Sequence, residues 1–180
     1  MNQDYVCITA PDAVRIERLL PGPIERVWAY LTEPAKRATW FAGGATDLRV
    51  GGAMALDFHN DRLTEGDDPP PPKYEKYGCA LTMKSRVTAC EPPTLLAYTF
   101  GGEGAENSEV RFDLAARGDQ VHLVLTHRRL ANREAMLSVS GGWHAHLDIL
   151  VARLEGRNPP KFWRNHTRLE AEYERRIPQA

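Results

Sequence analysis

EVRFDLAARGDQVHLVLTHRRL, residues 109–130, is the stretch that decides the fold. Val110, Phe112 and Leu114 alternate with Glu109, Arg111 and Asp113. Beyond a turn at Arg117-Gly118-Asp119, Val121, Leu123, Leu125 and His127 take up the same alternation. A period of two sends successive side chains to opposite faces of a strand. The segment therefore predicts two antiparallel strands with one apolar face that another element must cover.

Working upstream, Leu95 to Phe100 (LLAYTF) is a short apolar strand between the turns Pro92-Pro93 and Gly101-Gly102-Glu103-Gly104. Tyr77 to Glu91 places Cys79, Leu81, Met83, Ser85 and Val87 on one face. Ala53 to His59 does the same with Met54, Leu56 and Phe58, and Thr46 to Val50 reads as its hairpin partner across Gly51-Gly52. Ala13 to Leu20 (AVRIERLL) is the first strand. Pro23 then opens a helix carrying Ile24, Val27, Trp28 and Leu31, and a shorter helix or turn over Ala35 to Thr39 delivers Trp40-Phe41. Between the strands, Asn60 to Lys73 holds four consecutive prolines and the acids Glu65, Asp67 and Asp68, which read as an extended, solvated loop.

Downstream, Met136, Val139, Trp143, Leu147, Leu150 and Leu154 recur at helical spacing, with Ser138 or Ser140 to cap and Gly156 to end the helix. Gly141-Gly142 falls inside that pattern, at a cost of up to ~1 kcal/mol per glycine in a helix interior. After Asn158-Pro159-Pro160, a charged helix runs from Lys161 with an apolar edge of Phe162, Leu169 and Tyr173. Its arginines and glutamates alternate and cancel, as on an exposed helix. The order β-α-α-β6-α predicts an α+β fold: a curved antiparallel sheet of about seven strands around a long helix, plus an extra terminal helix. Such a sheet and helix leave an apolar pocket between them.

The 180 residues carry 23 Lys+Arg against 24 Asp+Glu, a net charge of −1. One domain over 1–180 is expected, with a core over about 13–157 and the charged helix of 158–180 appended. The charge balance argues against nucleic-acid binding, and no run of about 20 apolar residues predicts a membrane span. Cys7, Cys79 and Cys90 lack CxxC spacing, so buried thiols in a reducing cytoplasm are expected rather than disulfides or zinc. The first twelve residues lack the pattern of a signal peptide. No nucleotide, metal or nucleophile–base motif is present, so no cofactor, no metal and no catalytic set are predicted.

Five strings, taken in order, resemble one family: VRIERLLPGPIERVWAYLTEPAKRATWFAGG (14–44), VGGAMALDF (50–58), LTEGDDPPPPKY (63–74), LVLTHRRL (123–130) and GGWHAHLDILVARLEGR (141–157). The resemblance is to the START-like, or SRPBCC, superfamily with its helix-grip fold, and within it to the branch like the activator of heat-shock-ninety ATPase. It implies an internal apolar cavity, with ligand carriers, cyclases and chaperone activators among its members. A homodimer is likewise an expectation from the resemblance alone.

The candidate ligand contacts follow from parity and helical spacing. Trp40 and Phe41 sit at the expected mouth; Phe58, Met83, Tyr98, Phe112 and Leu125 come from the sheet; Trp143, His146 and Leu147 come from the long helix. His127 is the candidate polar group, facing either a ligand or a backbone partner at a strand end. Each of these residues also serves as plain core packing. The leading expectation is a non-enzymatic protein that binds a hydrophobic or amphipathic small molecule. The alternatives are a cyclase- or dehydratase-like enzyme using His127 and Tyr98, and a chaperone co-activator.

Overall fold

A computed structural model describes residues 5–101 and 108–179. Along the chain lie β1 (Cys7–Ala10), β2 (Ala13–Pro21), α1 (Ile24–Thr32), α2 (Pro34–Arg37), β3 (Ala42–Gly43), β4 (Ala53–Phe58) and β5 (Leu81–Glu91). They are followed by β6 (Leu95–Thr99), β7 (Glu109–Arg117), β8 (Gln120–Arg128), α3 (Arg133–Leu154) and α4 (Phe162–Arg176). Two 3-10 turns, Asn60–Arg62 and Pro72–Tyr77, punctuate the segment between β4 and β5.

The strands form one antiparallel sheet in the order β1-β2-β8-β7-β6-β5-β4-β3. Phe112 pairs with Leu125 and Leu114 with Leu123. Across the other side of β8, Ile16 pairs with Leu125 and Leu20 with Val121. This register gathers the alternating apolar residues onto one face, where α3 covers them. The fold is α+β of the helix-grip type. β5 spans the bend: it pairs with β4 from Leu81 to Arg86 and with β6 from Val87 to Glu91, with a register shift between Val87 and Ala89. Such an irregularity increases local twist and curls the sheet. No helix among the described residues is long and apolar enough to cross a membrane.

Four local expectations need correction. Thr46 to Val50 is no strand; Thr46 makes one isolated bridge to Met54, and the chain then turns back on itself. A two-residue strand, β3, takes the sheet edge instead, and β1 adds a strand at the other end. β5 starts at Leu81 rather than Tyr77, because Pro72–Tyr77 winds into a turn first. The cap of α3 is Asn132, whose side chain accepts from the Ala135 N–H at 2.9 Å, and not Ser138 or Ser140. The cysteines are free, but Cys7 lies exposed on an edge strand and Cys79 in the turn before β5, so these thiols are not buried. In the expected turn after β6, Gly102, Glu103 and Gly104 lie outside the described residues.

One charged side chain lies deep in this fold. Arg37, the last residue of α2, is only 1% exposed. Its guanidinium donates to the carbonyls of Ala42 (2.8 Å), Gly43 (2.9 Å), Gly44 (2.8 Å) and Ala55 (3.3 Å), and to Thr46 Oγ1 (2.9 Å). Five donors in a rigid planar fork suit a cluster of carbonyls in a way an ammonium does not. Beside it, Gly44 has φ +93°, and a Cβ there would stand 2.6 Å from the Ala55 carbonyl. The short loop and the short edge strand are therefore held from inside by one arginine.

Candidate functional site

Much of the space under the sheet is filled by rings. Trp143 on α3 lies 4.9 Å from Phe41, 5.4 Å from Phe100 and 5.7 Å from Phe112, measured between ring centroids. Its indole N–H donates to His127 Nδ1 at 3.0 Å. That bond leaves the ring proton on Nε2, which donates to Ser108 Oγ at 3.2 Å. The Ser108 hydroxyl in turn donates to the Phe100 carbonyl. Every polar atom of His127 thus has a partner. Burial pushes its pKa down to about 3, so the imidazole is neutral at pH 7.

The remaining free space lies to one side, where the β4–β5 edge, α3 and α4 meet. A cavity of about 120 Å³ opens there. Five of the expected contacts line it: Phe41, Phe58, Met83, Trp143 and His146. The other six sit elsewhere. Trp40 stacks behind Phe41 and donates its indole N–H to the Tyr30 carbonyl at 2.8 Å. Tyr98 and Phe112 stack on each other, Leu125 and Leu147 are fully enclosed, and His127 closes the polar chain above.

Much of the lining comes from segments that periodicity did not single out. Asn60, Tyr74 and Tyr77 come from the proline-rich connection, and Phe162, Trp163 and His166 from the first turns of α4. Only Phe162 carried a legible signal, as part of the apolar edge of that helix. The glycine pair of α3 also finds its place. A methyl added at Gly141 would touch His166 Nε2 at 3.6 Å and Glu170 Cα at 3.9 Å, ordinary contacts. At Gly142, which lines the cavity, it would meet nothing within 4 Å.

The acidic loop and the charged helix, separate in the sequence reading, fasten to each other. Asp67 accepts from the backbone N–H groups of Trp163 (2.7 Å) and Arg164 (3.3 Å), and Thr64 Oγ1 accepts from that of Phe162 (3.1 Å). These are the orphan donors of the first turn of α4, whose own N-cap, Lys161, supplies no side-chain bond. A carboxylate there also suits the positive end of the helix dipole. Further along, Tyr74 donates its hydroxyl to Glu170 at 2.5 Å, and Lys73 reaches the same oxygen at 3.1 Å. Burial and the neighbouring Glu170 push the Tyr74 phenol up to about 12, so it stays a donor. Replacing Asp67 with alanine is expected to cost about 1–2 kcal/mol, the usual worth of a cap. Amide exchange should accelerate first at Trp163 and Arg164; unchanged exchange there would count against the cap.

Electrostatically the cavity is neutral. No Asp, Glu, Lys or Arg among the described residues lines it. His146 donates from Nδ1 to the Trp40 carbonyl at 2.8 Å, and burial pulls its pKa down to about 4. Burial also lowers the pKa of His166. A larger groove of about 1090 Å³ follows β2 and the loop after α3. Four of its polar wall groups pair with each other, Arg18 with Asp148 at 3.3 Å and His122 with Glu17 at 2.5 Å. Its lining is mixed polar and apolar, whereas that of the ring-lined cavity is predominantly apolar.

Comparison with known proteins adds the following. The family model described as "Activator of Hsp90 ATPase homolog 1-like protein" matches residues 21–155. A Bordetella parapertussis protein solved by solution NMR is 46% identical, with a TM-score of 0.81, over 96% of this chain and 89% of its own. The crystal structure of CalU16 from Micromonospora echinospora is 24% identical, with a TM-score of 0.68, over 93% and 89%. The Aha1 dimer from Colwellia psychrerythraea is 16% identical, with a TM-score of 0.59, over 79% and 96%. The last two likenesses concern the fold alone. A search of curated proteins found no match. The family match ends before α4, the helix that supplies Phe162, Trp163 and His166 to the cavity.

Proposed function

The chain belongs to the activator of Hsp90 ATPase homolog 1-like family, and on that footing we propose that it binds a small, largely apolar molecule in the cavity between α3, α4 and the β4–β5 edge. The observation that carries this reading is Gly142. A glycine inside a 22-residue helix sacrifices up to ~1 kcal/mol of helix propensity. Nothing in the packing requires it, since a methyl group there would touch no neighbour. What the missing side chain leaves is room beside Trp143, and space lined by aromatic groups suits an apolar guest.

The enzymatic alternative loses its named residues. His127 spends both nitrogens inside the core, and Tyr98 lies outside the cavity lining. Neither can reach a molecule held beside Gly142 without dismantling the ring packing around Trp143.

Two substitutions at one position test the binding reading. Gly142→Ala is expected to raise stability by up to ~1 kcal/mol through helix propensity. Gly142→Leu should fill the cavity and weaken binding of an aromatic probe by about tenfold or more, about 1.4 kcal/mol or greater. Binding can be followed by the fluorescence of Trp143 and Trp163, which both line the cavity. An unchanged affinity in Gly142→Leu would place the ligand elsewhere. If a panel of aromatic and acyl compounds leaves the wild-type emission and its native mass spectrum unaltered, the binding reading is lost.

A further inference from the structure

Three buried polar atoms around the cavity lack a hydrogen-bond partner among the described residues: Asn60 Oδ1, Trp163 Nε1 and His166 Nδ1. All three residues line the same cavity, and they are 5%, 3% and 4% exposed. Asn60 is not merely loose, because its amide N–H₂ donates to the Tyr77 carbonyl at 3.0 Å. That bond fixes the side chain and leaves its oxygen as the acceptor without a partner. Trp163 contributes an N–H donor, and His166 contributes either function, according to its tautomer. Unsatisfied buried polar groups are scarce in native proteins and costly. Three of them bordering one small space call for a common partner.

The cavity limits what that partner is. About 120 Å³ is close to the roughly 150 Å³ apolar cavity that accommodates one benzene molecule. A single ring fills it, and a long acyl chain or a fused polycycle would have to extend out of it. Among the described residues the lining has no Asp, Glu, Lys or Arg, so a carboxylate or ammonium would lose hydration there with no counter-charge from them in return. Burial lowers the pKa of both histidines of the lining, His146 and His166, which favours their neutral forms.

We propose that the cavity holds a neutral single-ring phenol, its ring among Phe41, Phe58, Trp143 and Phe162 and its hydroxyl between Asn60, Trp163 and His166. A phenolic hydroxyl is one donor and an acceptor at once. It gives its proton to Asn60 Oδ1 and accepts from Trp163 Nε1 as it enters the gap those side chains border. This assignment rests on the binding reading above and sharpens it to a ligand class.

The test compares probes of one shape and graded polarity: p-cresol, 4-methylanisole and toluene, with laurate as the long-chain control. NMR titration follows the amides of Phe41, Gly142 and Trp143. Wild-type protein is expected to bind p-cresol about tenfold or more tightly than toluene, the net worth of its two buried hydrogen bonds. The methyl ether, an acceptor only, should fall between them. Trp163→Phe should bring the methyl ether down to toluene, and Asn60→Leu should remove most of the advantage of p-cresol over its ether. The probe series in the wild type alone stands as a test should either variant fold poorly. Equal affinity for p-cresol and toluene overturns the phenol assignment and leaves the binding site intact. Binding of laurate without any single-ring probe overturns the size argument, again sparing the site. No perturbation by any probe overturns both.

Discussion

Replacing Arg37 with alanine is expected to remove about 3–5 kcal/mol of folding stability, among the largest effects a single substitution can have. The reason is accounting of partners rather than charge. Four carbonyls and one hydroxyl accept from this guanidinium, and its bonds to Ala42 and Gly43 are fully buried. Each acceptor left unpaired in the interior costs about 1–3 kcal/mol, less whatever water can reach after relaxation. Burial already pulls the Arg37 pKa down, with Tyr98 and Asp57 acting upward, yet a guanidinium remains charged throughout the ordinary range. Arg37→Lys should recover only part of the loss, because one ammonium cannot address five acceptors on both sides of its stem. Urea denaturation at pH 7 measures both variants. A loss below ~1 kcal/mol in Arg37→Ala would mean that the loop of residues 42–46 is held by something else. Ligand binding should weaken alongside, since Phe41 enters the cavity directly from this loop.

Acid is the second large lever. Lowering the pH from 7 to 5 is expected to remove about 4 kcal/mol of stability. His127 and His146 have their folded pKa values depressed to about 3 and about 4, against an ordinary value of 6.5. A depressed histidine binds its proton in the unfolded chain first, so stability is intact above 6.5 and declines as the pH falls toward the folded value. Each contributes a slope of about 1.4 kcal/mol per pH unit within that window, and two groups over 1.5 units give about 4 kcal/mol. His166, lowered in the same direction by burial, adds to the decline. The structural cost is visible at His127: a second proton would sit on Nδ1, facing the indole N–H of Trp143. Denaturant midpoints at pH 7, 6 and 5 give the slope, and His146→Gln, which cannot charge, should remove about half of it. A decline under ~1 kcal/mol across this range would show that the imidazoles reach water before they charge.

The parts of the fold that were legible are those whose information is local. The alternation through Val110–Leu114 and Val121–His127 fixes parity, and parity survives folding because a slip of one residue would turn the apolar face to water. The stripe Met136 to Leu154 is legible for the same reason at a different period. What was illegible depended on distant partners. Thr46 to Val50 has strand-like composition, but the demand of Arg37 for the carbonyls beside it, together with Gly44, bends that segment into a loop. Asp67 looked like a solvated acid because the amides it caps lie 96 residues further on. At the cavity, Trp143 and His146 follow from helical spacing. Asn60, Trp163 and His166 do not, because the proline-rich connection carries no period and α4 appeared chiefly as a run of cancelling charges.

The clasp between Asp67 and α4 has a bearing on how the protein is made. The last helix is also the last element to be made, and until it packs, Phe41, Trp143 and His146 lack the cover that Phe162, Trp163 and His166 give their side of the cavity. Contiguous apolar surface of this kind is what chaperones and neighbouring chains adhere to. The loop waiting with Thr64 and Asp67 is a ready latch for the final segment, and its engagement turns a sticky intermediate into a protein with a private interior. A message cut short after α3 would thus lose more than binding: any sheet it formed would keep this adhesive side bare.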